Sequence, residues 1–260
     1  MRYLVDNDLH IHSKLSSCSR HEEQTPENIL AYAEKNGLST ICLADHMWDD
    51  RIPGASKWYA PQTYEHIRQS LPLPQSDKVR FLFGCETELD RHLTLGISRE
   101  VIDELDFVII PTNHLHMHGF TLDGSEGVEE RARLCVERLD AVLDMDLPFH
   151  KIGIAHFTGT LTFKGRHREV YAAIPEAEYH RLFAKAAQRG VGIELNFGSL
   201  SLTDETRPIE LLPYQIAKAE GCKFYFGSDA HTPGDFVRAK ENFENIVDLL
   251  GLTEEDKFRI

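Results

Sequence analysis

Seven short apolar runs recur along the chain, and each is followed by a stretch with helical periodicity. They cover residues 3–5 (continuing toward 12), 40–43, 79–83, 107–110, 152–155, 191–195 and 222–226. A run without polar alternation suits a strand buried on both faces of a parallel sheet. Between the runs, Thr25-Pro26-Glu27 supplies an N-cap, a proline for the first turn and an early acid, opening a helix that stops near Gly37. Residues 128–143 and 175–190 form the clearest later helices, the second ending in Arg189-Gly190. Pro213 is read as starting another helix that ends near Gly221, and Asp235 as starting the last. Repeated strand–helix units with right-handed crossovers give a closed barrel or a doubly wound sheet. No Pro/Gly/Ser-rich linker divides the 260 residues, so one barrel-like α/β domain over 1–260 is expected. Two long insertions follow strand ends, where loops of this architecture shape a site. Residues 47–62 carry Trp48, Trp58 and Tyr59, and residues 157–175 carry Lys164, Arg166, His167 and Arg168.

The polar residues at the ends of those runs are in phase. The first run leads into Asp8-Leu9-His10-Ile11-His12, and in an extended chain residues two apart point to the same side. Alone, an HxH pair is a weak sign of metal. The second run ends in Asp45-His46, the third in Glu86, and the fourth is followed by Asn113-His114-Leu115-His116. The fifth ends in His156, the sixth in Glu194-Leu195-Asn196, and the seventh in Gly227-Ser228-Asp229-Ala230-His231. In a parallel barrel all these ends lie on the face that carries the chemistry. A structural origin for the histidines would scatter them. His21, His66, His92, His150, His167 and His180 are so scattered and need no special role. His10, His12, His46, Glu86, His114, His156, Asp229 and His231 are too many donors for one tetrahedral ion with an open position. They suit two or three divalent transition metal ions with Glu86 bridging, and a set of nitrogen and oxygen donors fits Zn, Mn or Fe alike.

The formal net charge of −14 disfavours long nucleic acids and anionic membranes as partners. No apolar run approaches the ~18 residues that span a bilayer. Residues 1–8 have no apolar signal region. The five cysteines are scattered without a CxxC, so a disulfide framework is not expected and the cytoplasm is the simplest compartment.

The pieces DLHIHS at 8–13, LADH at 43–46, GCE at 84–86, the histidine after the fourth strand, IAH at 154–156 and GSDAH at 227–231 resemble the PHP superfamily, named for polymerase and histidinol phosphatase. They span nearly the whole chain in the family's order. The resemblance implies a distorted (β/α)7 TIM-like barrel with a trinuclear metal centre at the C-terminal ends of the strands. By that likeness His10, His12, Glu86 and Asp229 hold one ion, and Glu86, His114 and His156 a second. His46 and His231 hold the third with a residue shortly after the HxH pair. That residue is Cys18, a thiolate being a good Zn ligand, or else His21. His116 competes with His114.

Such a centre hydrolyses esters. Its ions acidify a water toward pKa ~7 to give a metal-activated hydroxide, clamp the substrate's oxygens and stabilise the leaving oxygen. GxSxG, P-loop and GxGxxG patterns are absent, which leaves acyl-enzyme, NTPase and dinucleotide chemistry without support. The expected substrate is a small phosphomonoester, with histidinol phosphate as a family precedent. Asp229, His231 and Glu86 are the expected catalytic residues. Lys164, Arg166 and Arg168 are expected to reach over the site toward phosphate, together with Asn196, and Trp58 and Tyr59 to wall the organic part. The alternatives are a nuclease or 3′-phosphatase, which the acidic surface disfavours for long polymers, and an amidohydrolase. An amidohydrolase often carries a bridging carboxylated lysine at a strand end, and no lysine ends a strand here. A noncatalytic metal-binding domain would not need ligands at every strand end.

Overall fold

The computed structural model describes residues 1–196 and 206–260. Seven parallel strands run in sequential order: β1 (Asn7–Ile11), β2 (Thr40–Leu43), β3 (Arg80–Glu86), β4 (Phe107–Pro111), β5 (Ile152–Ala155), β6 (Gly192–Leu195) and β7 (Lys223–Phe226). The helices between and after them are α1 (Pro26–Asn36), α2 (Tyr64–Ile67), α3 (Arg99–Glu104), α4 (Val128–Asp144), α5 (His167–Ala173), α6 (Glu176–Arg189), α7 (Arg207–Ala219) and α8 (Ala239–Leu250). The result is a nearly closed (β/α)7 barrel. Its seam lies between β7 and β1, where a lone parallel bridge joins Ile11 to Ala230. Side chains finish the closure: Asn7 accepts from the Phe226 amide at 2.9 Å and Asp8 from the Ser228 amide at 2.9 Å. Gln24 donates to the carbonyls of both His12 and Ala230, tying the two strand ends together just beside the site.

Strands buried on both faces make two cores. Inside the barrel, Leu9, Cys42, Leu82, Phe107, Ile109 and Tyr225 pack together, with Phe258 closing the bottom. Outside it, the strands' other faces meet the helices in a much larger layer that includes Ile41, Val108, Ile154, Leu182, Tyr214 and Phe243. The interior rings need room, and β5 makes it with Gly153. A Cβ there would stand 2.6 Å from Phe107 Cζ and from Tyr225 Cζ.

Three boundaries differ most from the sequence reading. The first strand begins at Asn7 rather than Tyr3, because the Tyr3 amide bonds to the Leu252 carbonyl and not to the sheet. Helix α7 begins at Arg207, so Pro213 lies inside it; Pro208 is the proline of its first turn, where a missing N–H costs nothing. Asp235 belongs to a 3-10 turn, Pro233–Phe236, and α8 follows at Ala239. The α1 expectation matches in detail: Thr25 caps the Asn28 amide and Gly37 ends the helix at φ 65°.

Candidate metal centre

The pleat of β1 sends His10 and His12 to one side, and their Nε2 atoms stand 3.0 Å apart. Asp229 Oδ1, arriving after β7, lies 2.9 Å from His12 Nε2 and 3.4 Å from His10 Nε2. Glu86, the last residue of β3, places Oε2 3.4 Å and 3.5 Å from the same two nitrogens. Its other oxygen faces a second group: Oε1 is 3.2 Å from His156 Nε2 and 3.9 Å from His114 Nε2. A third group is His12, His46 and His231, whose rings stack on His12 at 4.5 Å and 4.3 Å. Cys18 Sγ lies 3.1 Å from His231 Nε2, whereas His21 is exposed and bonds its own loop at the Glu23 amide. His114, not His116, belongs to the second group; His116 stands edge-on to it at 5.3 Å.

Aiming these groups requires unusual backbone. His156 at φ 23° and Asp229 at φ 54° are non-glycine residues in the left-handed region. Each such residue costs on the order of 1–3 kcal/mol, and strain of this kind collects at functional sites.

Five of the six histidines are fixed at Nδ1, which leaves Nε2 for the centre. His10 Nδ1 donates to Glu194 at 2.9 Å, and Glu194 in turn accepts from Tyr225 and Asn196. His114 Nδ1 donates to Glu88 at 2.8 Å, and Glu88 is held by the buried Arg138 at 2.8 Å. His12 Nδ1 meets Ser16 Oγ at 3.0 Å, and that hydroxyl donates to Asp45. His156 Nδ1 meets Asn113 Oδ1, and His231 Nδ1 the Asp229 carbonyl at 2.7 Å. Such partners set the tautomer and orientation of ligand imidazoles. His46 differs, its Nδ1 facing Glu86 at 3.0 Å with the Tyr59 hydroxyl beyond at 3.5 Å.

The electrostatics suit cations. Burial alone would raise the Glu86 carboxyl, but His46 and His10 outweigh it and hold the group well below the usual range. Asp229 is lowered likewise: His10, His12 and His231 overcome its burial. Burial would lower His10, yet Glu194, Asp229 and Glu86 raise it well above the usual imidazole value. Burial, with Glu86 and Asp229, pushes the Cys18 thiol up to about 12. Buried anions, converging nitrogens and pre-set tautomers together form a donor set that several divalent ions fit.

Above the cluster opens a cavity of about 760 Å³. Trp58, Tyr59, Met117, Phe120 and Leu161 line it together with side chains of the histidine and carboxylate cluster. A neighbouring cavity of about 400 Å³ shares His156, Leu161, Asp229 and His231 with it and contains Asn196. The basic loop does not reach either one. The segment after Arg166 folds into α5, where Arg166 pairs with Glu169 at the surface and Arg168 with the buried Glu210; Lys164 is exposed. The expectation that Lys164, Arg166 and Arg168 line the site is therefore corrected. Sequence reasoning also missed Glu88 and Arg138. Glu88 had a signal, since it follows Glu86 by two in extended chain. Arg138 had a fainter one, as a charge on the buried face of α4 beside Cys135, Leu139 and Val142.

Fold and site together define a (β/α)7 barrel with a multinuclear His/carboxylate centre at the C-terminal ends of its strands. The family model for the PHP domain matches residues 8–255, and the chain belongs to that family. Its fold is similar to that of a histidinol phosphate phosphatase from Lactococcus lactis, solved in complex with zinc, L-histidinol and phosphate. That match has a TM-score of 0.62 and 20% identity, and covers 99% of this chain and 100% of the other. No curated protein matches the sequence.

Proposed function

We propose that the chain is a metal-dependent phosphomonoesterase acting on a small phosphate ester, a reaction of the histidinol-phosphatase kind. The observation that carries this reading is the division of Glu86 between two histidine groups on the floor of a cavity sized for a small molecule. His10, His12, Glu86 and Asp229 would hold one ion, Glu86, His114 and His156 a second, and His46, His231 and Cys18 beside His12 a third. When bound, such ions supply Lewis acidity toward phosphate oxygens and water.

The protein's own groups do the rest. Glu86 keeps the two histidine groups in register. Asp229 and His231 are the most exposed of the histidine and carboxylate ligands, with side chains 31% and 26% exposed, where an ester oxygen enters. We assign them, with Glu86, the catalytic roles. Asn196 lines the second cavity together with Asp229 and is assigned to phosphate binding. No arginine lines either cavity among the described residues and Lys57 is the lysine that does, so phosphate charge falls mainly to the centre itself.

No helix among the described residues is long and apolar enough to cross a membrane. Five unpaired cysteines support a cytoplasmic setting, and the acidic surface supports a small-molecule rather than a long nucleic-acid partner.

Protein reconstituted with Zn, Mn or Fe is expected to hydrolyse phosphomonoesters in preference to phosphodiesters, amides and lactones. Preference for an amide or lactone would sink the reading. Elemental analysis should find more than one equivalent of metal, and Glu86→Ala should lose metal and activity together. Full activity in Glu86→Ala would refute the bridging role.

A further inference from the structure

The apolar wall of the main cavity is a small core of its own. Trp48, Tyr59 and Phe120 form a cluster separate from both barrel cores, with Ile52, Trp58 and Met117 packed on it. It joins two loops, the one after β2 and the one after β4. Its rings are fixed by mutual contacts: Trp58 to Tyr59 at 4.7 Å, Trp48 to Phe120 at 5.3 Å and Tyr59 to Phe120 at 5.7 Å. The Trp48 indole N–H is satisfied by the Ile52 carbonyl. This cluster lines the cavity through the partly buried Trp58 and Met117 and the largely buried Phe120. Leu161, 40% exposed, lines the same cavity. Trp58 also stands edge-on to the ligand ring of His46 at 4.9 Å. The apolar face therefore begins one ring-width from the metal centre.

The charges along the same cavity are one-sided. Among the described lining residues the carboxylates are Glu86, buried with both oxygens on the histidine cluster, and Asp229, whose Oδ1 turns to His10 and His12. Lys57, exposed, is the lysine among the described lining residues. A substrate ammonium entering here would lose water, find no carboxylate outside the histidine cluster among the described lining residues, and face Lys57 and the ions the centre would hold. A cation–π contact with Trp58, worth about 0.5–1 kcal/mol at exposed sites, does not replace a lost ion pair. A flat uncharged ring finds complementary surface in the aromatic side chains and Leu161 that line the cavity.

Resting on the phosphomonoesterase reading, we propose that the Trp58–Met117–Phe120 wall binds an aromatic group of the phosphate ester. That group is uncharged or anionic and lies a short link from the phosphorus, and the cavity discriminates against esters bearing an ammonium group. The wall thus sets specificity, and the centre sets the reaction.

The test compares kcat/KM of the metal-loaded enzyme for 3-phenylpropyl phosphate, propyl phosphate and 2-amino-3-phenylpropyl phosphate. Filling an apolar pocket with a ring is expected to favour the first over the second by about tenfold or more. The amino compound is expected to fall well below the first, although its ammonium makes the alcohol a better leaving group. Binding of 3-phenylpropylphosphonate, followed by calorimetry, should weaken about tenfold in Trp58→Ala and little in Trp58→Phe. Equal kcat/KM for the phenyl and propyl esters, or preference for the amine, would overturn this inference and leave the phosphomonoesterase reading standing. Turnover of none of the three, with hydrolysis of amides or lactones instead, would overturn both.

Discussion

Arg138 reaches the metal centre without touching it. It is buried on α4, donates to Glu88 Oε1 at 2.8 Å and to the carbonyls of Leu89, Asp90 and Thr112, and so fixes the carboxylate that orients His114. Removing one member of a buried ion pair leaves the other uncompensated, at about 3–5 kcal/mol. Losing an outer partner of a metal histidine typically costs ~10–100-fold in metal affinity. Glu88→Gln is therefore expected to weaken binding of one ion by that factor, read by metal titration, and to lower urea stability of the metal-free protein. Arg138→Met should produce the same pair of effects through Glu88. Unchanged metal affinity in both variants would refute the positioning role. The contrast with the basic loop shows what a sequence reveals at this scale. The histidines that converge in the structure were legible because strand ends fix where side chains point. Arg166 and Arg168 misled because a charge run says nothing about direction, and both guanidinium groups found carboxylates elsewhere.

At the scale of elements, the seven strands could be read because burial on both faces leaves unbroken apolar runs. Helix limits were legible where a cap marks them, as at Thr25 and Gly37, and not where a proline serves two grammars, as Pro208 and Pro213 do. Helix α5 was read as loop because seven residues between Arg166 and Ile174 carry too little periodicity. The glycines of the strands carried a message that only packing explains. Gly153 leaves space that Phe107 and Tyr225 fill from opposite sides. Tyr225 in turn donates to Glu194, the partner of His10, so the barrel interior and the metal centre share a support. Gly153→Ala should overpack this ring of residues and cost about 1–3 kcal/mol. Since the strain is transmitted toward Glu194, metal content should fall as well. A variant with wild-type urea midpoint would mean that the interior gives way more easily than its close packing implies.

Across the whole molecule, the chain's two ends are joined at the bottom of the barrel, opposite the site. Tyr3 and Met1 exchange backbone bonds with Leu252 and Glu254, and Phe258 enters the barrel interior with its amide on the Phe224 carbonyl. Glu254 is the polar centre of this closure. It accepts from the Leu4 amide at 2.6 Å, Arg259 at 2.7 Å and Lys257 at 3.1 Å, while Lys257 also reaches Asp6. Burial opposes ionisation of Glu254, but the Leu4 amide, Lys257 and Arg259 outweigh it and pull the carboxyl down to about 2. An unfolded glutamate titrates near pH ~4.3. With the folded value depressed, the unfolded state takes up the proton first as the pH falls. Glu254 therefore contributes stability that is whole above pH ~4.3 and is lost as the pH falls through about 2. Replacing it with glutamine should lower the urea midpoint at pH 6, and the gap from wild type should narrow steadily below pH ~4. The readout is unfolding of metal-free protein, which separates this closure from acid release of the ions at the other end of the barrel. A gap of constant size from pH 6 to pH 3 would show that the carboxylate's charge is not what joins the termini.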